Sequence, residues 1–169
     1  STTSFSSGGF EISCYGASDG SINLEVIGGA GIYTYLWSNG ETTEDISGLL
    51  EGTYSLIVED QNQCPLQLSF TLTQDTEIYI DSSELVDVTC FYDNNENGMN
   101  DVSDGSIFID VLGGTPPYSY MWNNGELIED ISNLAEGDYN VTITDSRGCS
   151  INEQFYIGEP QLVSVNLNP

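Results

Sequence analysis

The chain has 169 residues and a formal net charge of −26, with 27 acidic residues against one basic residue, Arg147. A chain this acidic repels nucleic acid and anionic membrane surfaces, because binding phosphate requires basic groups. It contains no His and no Lys, which removes the commonest general base, Schiff-base amines and imidazole metal ligands. We therefore expect no enzyme and no membrane insertion, but a secreted or surface binding or structural protein.

Two copies of one module account for nearly the whole chain. Residues 18–70 align without a gap onto residues 103–155, and 25 of the 53 aligned pairs are identical. Upstream, Cys14 aligns with Cys90 at an offset nine residues shorter, so the second copy carries an insertion before Ser103. We predict module 1 over residues 1–75 and module 2 over residues 76–160, with an acidic loop insertion at 91–102.

Each module has the two-residue hydrophobic period of β-strands. In chain order, the alternating sets of module 1 are Ile22/Leu24/Val26, Tyr33/Tyr35/Trp37, Tyr54/Leu56/Val58 and Leu66/Leu68/Phe70/Leu72. Asn39-Gly40 and Asn124-Gly125 suit type I′ hairpin turns, and DQNQC and DSRGC, which end at Cys64 and Cys149, suit the next turns. No helical period is sustained. The predicted fold class is all-β, with two tandem antiparallel β-sandwiches and almost no helix.

The aromatic residues indicate what kind of sandwich this is. The segments LLEGTY and LAEGDY, which end at Tyr54 and Tyr139, resemble the tyrosine corner of immunoglobulin-like domains. In that corner the Tyr hydroxyl bonds to the preceding backbone. Trp37 and Trp122 lie in phase with the alternating tyrosines, as a single core Trp of each sandwich does. The alternative is an exposed aromatic stripe that binds sugar.

Four cysteines without the spacing of a zinc site predict two disulfides and an oxidising, extracellular setting. Four buried free thiols are the alternative. Because one module has to fold on its own, we expect the bonds Cys14–Cys64 and Cys90–Cys149, one in each module. Cross-module pairing is the less favoured arrangement.

The ordered motif set of both copies resembles the SprB-type repeat of large surface adhesins of gliding and other Bacteroidetes bacteria. The motifs are C-x-G-x-SDGSI, the Gly-Gly and Tyr-x-Tyr-x-Trp-x-Asn-Gly segments, EDIS-x-L-x-x-G-x-Y, and an Asp-to-Cys turn. Copy two, with Pro116, Pro117 and Gly148, fits the pattern better than copy one. The resemblance covers about residues 10–160. It implies immunoglobulin-like modules in tandem on the cell surface, serving as stalk or adhesive repeats without catalytic residues.

The insertion has the ligand rhythm of an EF-hand-type calcium loop, in which alternate oxygens converge on the ion. The predicted ligands are Asp93, Asn95, Asn97, the Met99 carbonyl, Asp101 and Asp104. Ca²⁺ is therefore the one cofactor that we expect. A solvated acidic loop is the alternative, since the twelfth position is Asp104 rather than Glu and has a counterpart, Asp19, in the copy without the insertion.

Other polar motifs carry weaker signals. The repeated EDIS segments place Glu44-Asp45 and Glu129-Asp130 where they could offer a second oxygen site or a glycosidase pair. We favour acidic residues on a solvent face. Asn140 begins a glycosylation sequon.

Residues 161–169 align with the start of module 2, so we interpret them as a linker or the first strand of a following module or subunit. The predicted inter-subunit contacts are Leu162, Val163 and Val165, which would complete the sheet of the next subunit. We expect a cell-surface structural or adhesive repeat, with neighbouring modules or identical subunits as head-to-tail partners. The alternative function is a calcium-assisted carbohydrate-binding module with surface glycans as ligands.

Overall fold

The computed structural model describes residues 12–89 and 103–159, together with the backbone of the strand Phe5–Phe10. The chain divides between Glu77 and Ile78 into two compact units. The regular structure of the described residues is β-strand, as the two-residue hydrophobic period predicts, and they contain no helix long and apolar enough to cross a membrane.

The described part of unit 1 has six strands in two antiparallel sheets. The strands are β1 (Phe5–Phe10), β2 (Gly20–Val26), β3 (Thr34–Trp37), β4 (Ile46–Leu49), β5 (Gly52–Glu59) and β6 (Pro65–Leu72). One sheet has the order β1-β2-β4 and the other β3-β5-β6. The pairing Leu56↔Leu68 and Val58↔Leu66 places the alternating apolar residues of β5 and β6 opposite one another.

Unit 2 repeats this arrangement. Its strands are β7 (Tyr79–Val86), β8 (Gly105–Leu112), β9 (Ser119–Trp122), β10 (Ile131–Leu134), β11 (Gly137–Thr144) and β12 (Ser150–Ile157). The sheets have the orders β7-β8-β10 and β9-β11-β12. The pairing β7–β8 shifts register between Ile80 and Ser82. The predicted all-β fold class is confirmed.

Each unit has its own core, built from the inward positions of both sheets. Trp37 and Trp122 are each 2% exposed, and their indole N–H groups donate to the backbone oxygens of Thr43 and Ile128 at 2.9 Å. The core prediction for both tryptophans is confirmed. A buried indole N–H needs such an acceptor, so the bond fixes the depth of the ring as well as its burial.

The tyrosine corner is present in both units. The hydroxyl of Tyr54 donates to the Leu50 carbonyl at 3.1 Å, and that of Tyr139 donates to the Ala135 carbonyl at 3.0 Å. Each corner lies where the chain leaves β4 or β10 in one sheet and enters β5 or β11 in the other. The hydroxyl bond therefore ties the crossover between the two layers.

The predicted type I′ turns at Asn-Gly are wrong. Among the described non-Gly residues, a positive φ occurs at Gln63 and Asn133, so only Gly40 (φ 91°) of the Asn39-Gly40 pair is left-handed. Gly40 N–H donates to the Trp37 carbonyl at 3.0 Å, and Trp37 N–H donates to the Glu41 carbonyl at 2.9 Å. These bonds define a three-residue loop with a left-handed glycine. After this loop the chain continues to β4, which belongs to the other sheet of unit 1.

Candidate functional site

In each unit, an aspartate at the start of the last hairpin turn accepts hydrogen bonds from that turn and from a neighbouring loop. In unit 2, Asp145 Oδ1 accepts from the backbone N–H groups of Arg147 and Cys149, both at 2.9 Å, and Oδ2 accepts from Thr115 N–H at 3.0 Å. In unit 1, Asp60 repeats the pattern with Asn62 (2.9 Å), Cys64 (3.0 Å) and Ala30 (3.1 Å). One carboxylate thus joins the hairpin turn to the loop that follows β2 or β8.

These hydrogen bonds set the charge state of both aspartates. Asp145 is only 5% exposed, and burial by itself raises the pKa of its carboxyl. Backbone bonds from Thr115, Cys149, Arg147 and Gly148 outweigh burial, so the pKa lies below its usual value. For Asp60, the bond from Cys64 N–H is the largest cause that lowers the pKa. Both groups are therefore ionised anchors of the turn.

The acidic residues of the repeated EDIS segment are also used inside the module. Asp45 Oδ1 accepts from Leu24 N–H at 2.8 Å, and Asp130 Oδ1 accepts from Ile109 N–H at 3.1 Å. Each of these bonds continues the pairing of the central strand beyond the short strand β4 or β10. Asp45 and Asp130 are thus structural acceptors.

The neighbouring glutamates bind core-edge tyrosines. The Tyr120 hydroxyl donates to Glu129 Oε1 at 2.8 Å. Tyr35 pairs with Glu44 in the same way, and burial followed by this bond raises the pKa of Tyr35 to about 12. Burial and the bond to Glu129 raise the pKa of Tyr120 as well. In each unit, a tyrosine hydroxyl is thus paired with a glutamate side chain at the edge of the core.

Of the predicted calcium ligands, the structure describes Asp104, and the remaining ones (Asp93, Asn95, Asn97, Met99 and Asp101) lie outside the described residues. Asp104 Oδ1 accepts from Thr89 N–H at 2.8 Å, and Oδ2 accepts from the Thr89 hydroxyl. These bonds lower the pKa of Asp104. The counterpart Asp19 accepts from Ser13 N–H at 3.1 Å, so both residues serve the same turn. Residues 12–89 and 103–159 contain no cluster of three His, Cys, Asp or Glu side chains suited to a metal.

The predicted bond Cys14–Cys64 is wrong, because Cys64 carries a free, exposed thiol. Ile12 N–H donates to the Thr73 carbonyl at 3.2 Å and Gly16 N–H to the Gln74 side chain, so Cys14 lies beside the end of β6. Cys64 lies directly before the start of β6, nine residues and about 30 Å away along an extended strand. A disulfide requires Cα atoms within about 7 Å of one another.

The other predicted residues have different outcomes. Cys14 and Cys149 are each disulfide-bonded while Cys64 is free, so the predicted arrangement of one bond within each module does not hold. Cys90, the predicted partner of Cys149, lies outside the described residues. Leu162, Val163 and Val165 also lie outside the described residues, so the inter-subunit strand stays a prediction. Asn140 of the sequon is exposed on β11, facing solvent.

A shallow groove lies on the outer face of β7 and β8 in unit 2, with a volume of about 320 Å³. Its lining includes Phe108, Ser82, Asp110 and Asp130. The Ser82 hydroxyl donates to Asp110 Oδ2 at 2.6 Å, and Asp130 binds Ile109 N–H. Two of its acidic side chains, Asp110 and Asp130, are thus hydrogen-bonded within unit 2.

Sequence reasoning missed the organising role of Asp60 and Asp145. Its signal was available, since each is an Asp identical in both copies and placed four residues before a cysteine. An Asp at the first position of a turn accepts from backbone N–H groups two to four residues later. The contacts to Ala30 and Thr115, thirty residues away, carry no such local signal.

Two segments of the chain match the SprB repeat family, residues 11–42 and 100–127. These segments occupy corresponding parts of the two modules, which confirms the resemblance drawn from the motifs. No curated protein matches the sequence. The family matches and the repeated immunoglobulin-like modules support an adhesin-type repeat protein.

Several solved structures are similar in fold at low sequence identity. A C-terminal 282-residue fragment of intimin, in complex with the intimin-binding domain of the translocated intimin receptor, is 11% identical with a TM-score of 0.42; the match covers 92% of this chain and 62% of that one. DIP-gamma IG1+IG2 is 9% identical with a TM-score of 0.42, covering 96% and 99%. The BSP domain of a biofilm associated protein is 12% identical with a TM-score of 0.26, covering 93% and 30%.

Proposed function

We propose that this chain is a non-enzymatic structural repeat of an extracellular bacterial surface adhesin, in which the two modules act as rigid spacers. One observation carries the proposal. The aspartates that recur in both copies each accept hydrogen bonds from their own module; they are Asp19/Asp104, Asp45/Asp130 and Asp60/Asp145. The residues that recur in both copies thus stabilise the fold of each module, as expected for a repeated structural unit.

The surface supports the same function. With a net charge of −26, the modules repel one another at low ionic strength. Because exposed sheet edges otherwise invite pairing between chains, acidic side chains oppose aggregation of a long repeated array. An oxidising location agrees with the disulfide-bonded state of Cys14 and Cys149.

Single-molecule force spectroscopy tests the spacer function. The full chain, tethered at its two ends under reducing conditions, is expected to unfold in two discrete events. Each event should lengthen the chain by about 25 nm, the extended length of a module of ~80 residues. Smooth extension without discrete events would contradict a spacer that bears tension. Tyr139→Phe serves as a matched variant, because it weakens one crossover and should lower the rupture force of one event only.

Glycan binding, the alternative function, is tested separately on a glycan array with the full chain. The two tryptophans that could have formed a binding stripe are buried in the cores. We therefore expect no saturable glycan binding, with and without calcium. Saturable binding that a Phe108→Ala substitution abolishes would instead assign a lectin function to the groove on β7 and β8.

We also propose that the acidic insertion binds Ca²⁺, with Asp104 as its last ligand. Asp104 is held ionised by its two bonds from Thr89, and an ionised carboxylate is the ligand that Ca²⁺ requires. Calcium should raise the unfolding temperature of module 2, and a chelator should reverse the shift. Equal unfolding temperatures in calcium and in chelator would refute the proposed calcium site.

The head-to-tail joining of subunits through residues 161–169 belongs to the same proposal. Residues 161–169 align at the repeat offset with residues 76–84, which contain the start of β7. Because β2 lies between β1 and β4, a strand of that sequence from another subunit would replace β1 beside β2, in the place that β7 has beside β8. Deleting residues 161–169 should abolish assembly seen by light scattering. Unchanged assembly would refute this mode of joining.

A further inference from the structure

The two Asn-Gly loops combine exposed residues with a backbone that is held by hydrogen bonds. Asn39-Gly40 and Asn124-Gly125 are exposed, and the φ values of their glycines are 91° and 93°. In an Asn-Gly pair, the backbone nitrogen of the glycine can attack the asparagine side chain readily, because glycine has no side chain to hinder the approach. This reaction requires only water, so the geometry of the loop decides whether it takes place.

Both reacting groups are hydrogen-bonded in unit 1. Gly40 N–H, which carries the attacking nitrogen, donates to the Trp37 carbonyl at 3.0 Å. Asn39 Oδ1, on the carbon that would be attacked, accepts from Glu41 N–H at 3.1 Å. The equivalent bonds of unit 2 have the same lengths and run from Gly125 to Trp122 and from Glu126 to Asn124. The agreement of the two copies makes this arrangement a property of the repeated loop.

The loop also holds the attacking nitrogen away from its target. The bond from Gly40 to Trp37 closes a type I turn, in which Asn39 is the second central residue and has a ψ of about 0°. At that ψ the Gly40 nitrogen eclipses the nitrogen of Asn39, whereas closing a five-membered ring requires it to eclipse Cβ. The peptide group between Asn39 and Gly40 must therefore rotate before reaction, and this rotation breaks the bond to Trp37.

The residue before each Asn-Gly pair ties the loop to β5 or β11, and this tie differs between the units. Ser38 N–H donates to the Ser55 carbonyl at 2.8 Å, and Ser38 Oγ accepts from Ser55 N–H at 3.1 Å. Asn123 makes the two equivalent bonds with Asn140, at 2.9 Å and 3.2 Å, and its Nδ2 also donates to the Asp138 carbonyl at 3.0 Å. The loop of unit 2 is therefore held by one bond more.

We propose that Asn39 and Asn124 are latent deamidation sites, which the closed loop keeps unreactive and which react once the loop opens. The glycine nitrogen gives up its proton and bonds to Cγ, the Cγ–Nδ2 bond breaks, and the departing nitrogen takes up a proton and leaves as ammonia. Water then opens the cyclic imide at either carbonyl, which gives aspartate or isoaspartate. Because its loop is held by fewer bonds, Asn39 reacts before Asn124. The inference is independent of the spacer function.

Peptide mass spectrometry measures both reactions in the full chain, incubated folded and in denaturant at the same mildly alkaline pH. Dividing the folded rate by the unfolded rate of the same pair removes the effect of neighbouring side chains on intrinsic reactivity. Since the bonds of both reacting groups must break, folding should slow each reaction at least about tenfold. Asn39 should retain a larger fraction of its unfolded rate than Asn124. Equal folded and unfolded rates, or the reverse order, would overturn the proposal.

Two variants separate opening of the loop from unfolding of the module. Ser38→Asn introduces the residue that unit 2 has at this position, and should slow Asn39 several-fold in the folded chain. Tyr54→Phe weakens the tyrosine corner of module 1 without touching the loop, and should leave the rate at Asn39 unchanged. An unchanged rate with Ser38→Asn, or a several-fold rise with Tyr54→Phe, would mean that Asn39 reacts from the unfolded module and would overturn the role of the loop.

Discussion

Replacing Asp145 by Asn changes one carboxylate oxygen of this buried side chain into an amide NH₂ group and keeps the shape of the side chain. Asp145 Oδ1 accepts from Arg147 and Cys149, and Oδ2 accepts from Thr115. An amide has a single oxygen, so its best placement keeps the two bonds at Oδ1. Its NH₂ group then faces the N–H of Thr115, donor against donor, at a site that is 5% exposed.

The expected cost follows from these contacts. Leaving one buried donor without an acceptor costs about 1–3 kcal/mol, and the two bonds that remain lose the strength that the negative charge gives them. We expect Asp145→Asn to lower the free energy of unfolding of module 2 by about 2–3 kcal/mol. For a domain of this size, that corresponds to a fall in unfolding temperature of about 10–20 °C.

Differential scanning calorimetry measures the shift, and hydrogen exchange resolved by peptide assigns it to module 2. The comparison should also depend on pH. The folded-state pKa of Asp145 is lowered, so its stabilisation is present above the ordinary carboxyl pKa and is lost as the pH falls through the folded-state value. The difference between wild type and Asp145→Asn should therefore be largest near neutral pH and shrink below about pH 4.

Two outcomes would refute this reasoning. A loss below about 0.5 kcal/mol would mean that water satisfies the Thr115 N–H and that the turn carries no buried anchor. A difference between the variants that stays constant down to pH 2 would mean that the negative charge contributes nothing. Asp60→Asn is the matched control, since it should destabilise module 1 and leave the exchange of module 2 unchanged.

Three further predictions concern single contacts. Tyr139→Phe removes the bond to the Ala135 carbonyl and should cost about 0.5–1.5 kcal/mol in a denaturant titration. Gly114→Ala should lower the unfolding temperature of module 2, because an added Cβ would lie 2.7 Å from Ile78 Cγ1 and 2.8 Å from Asp145 Oδ2 at a φ of +57°. The pKa of Tyr35 is raised to about 12, so stability should be lost as the pH rises above 10, and Glu44→Gln should lower that pKa in an ultraviolet titration.

Each of these has a control. Tyr156→Phe, at an exposed position outside the corner, should leave stability unchanged, and an effect equal to that of Tyr139→Phe would refute the corner. Gly125→Ala has a left-handed φ but open space around its Cβ. It should therefore cost less than Gly114→Ala, and equal losses would mean that the close contacts with Ile78 and Asp145 contribute nothing to the cost. Glu51→Gln should leave the titration of Tyr35 unchanged, whereas a shift as large as that of Glu44→Gln would refute the direct bond.

The secondary structure could be predicted because its causes are local. The alternation of Ile22, Leu24 and Val26 specifies a strand with one buried face wherever that strand lies. The tyrosine corner was equally accessible, since the hydroxyl of Tyr54 bonds a carbonyl only four residues earlier. The Asn-Gly turn was predicted in the wrong form, because a two-residue type I′ turn was assumed where Trp37 and Glu41 close a three-residue loop in which only Gly40 is left-handed.

The amino-acid sequence by itself determined the two modules, the strand-by-strand pattern of each and the residues of their cores, because repetition and hydrophobic period are properties of the chain. Only the tertiary structure decided that Cys14 and Cys64 lie at opposite ends of β6, and that Asp60 and Asp145 join turns to loops thirty residues away. Both depend on which strand ends meet, and strand ends meet through the packing of two sheets, which spacing along the chain does not encode.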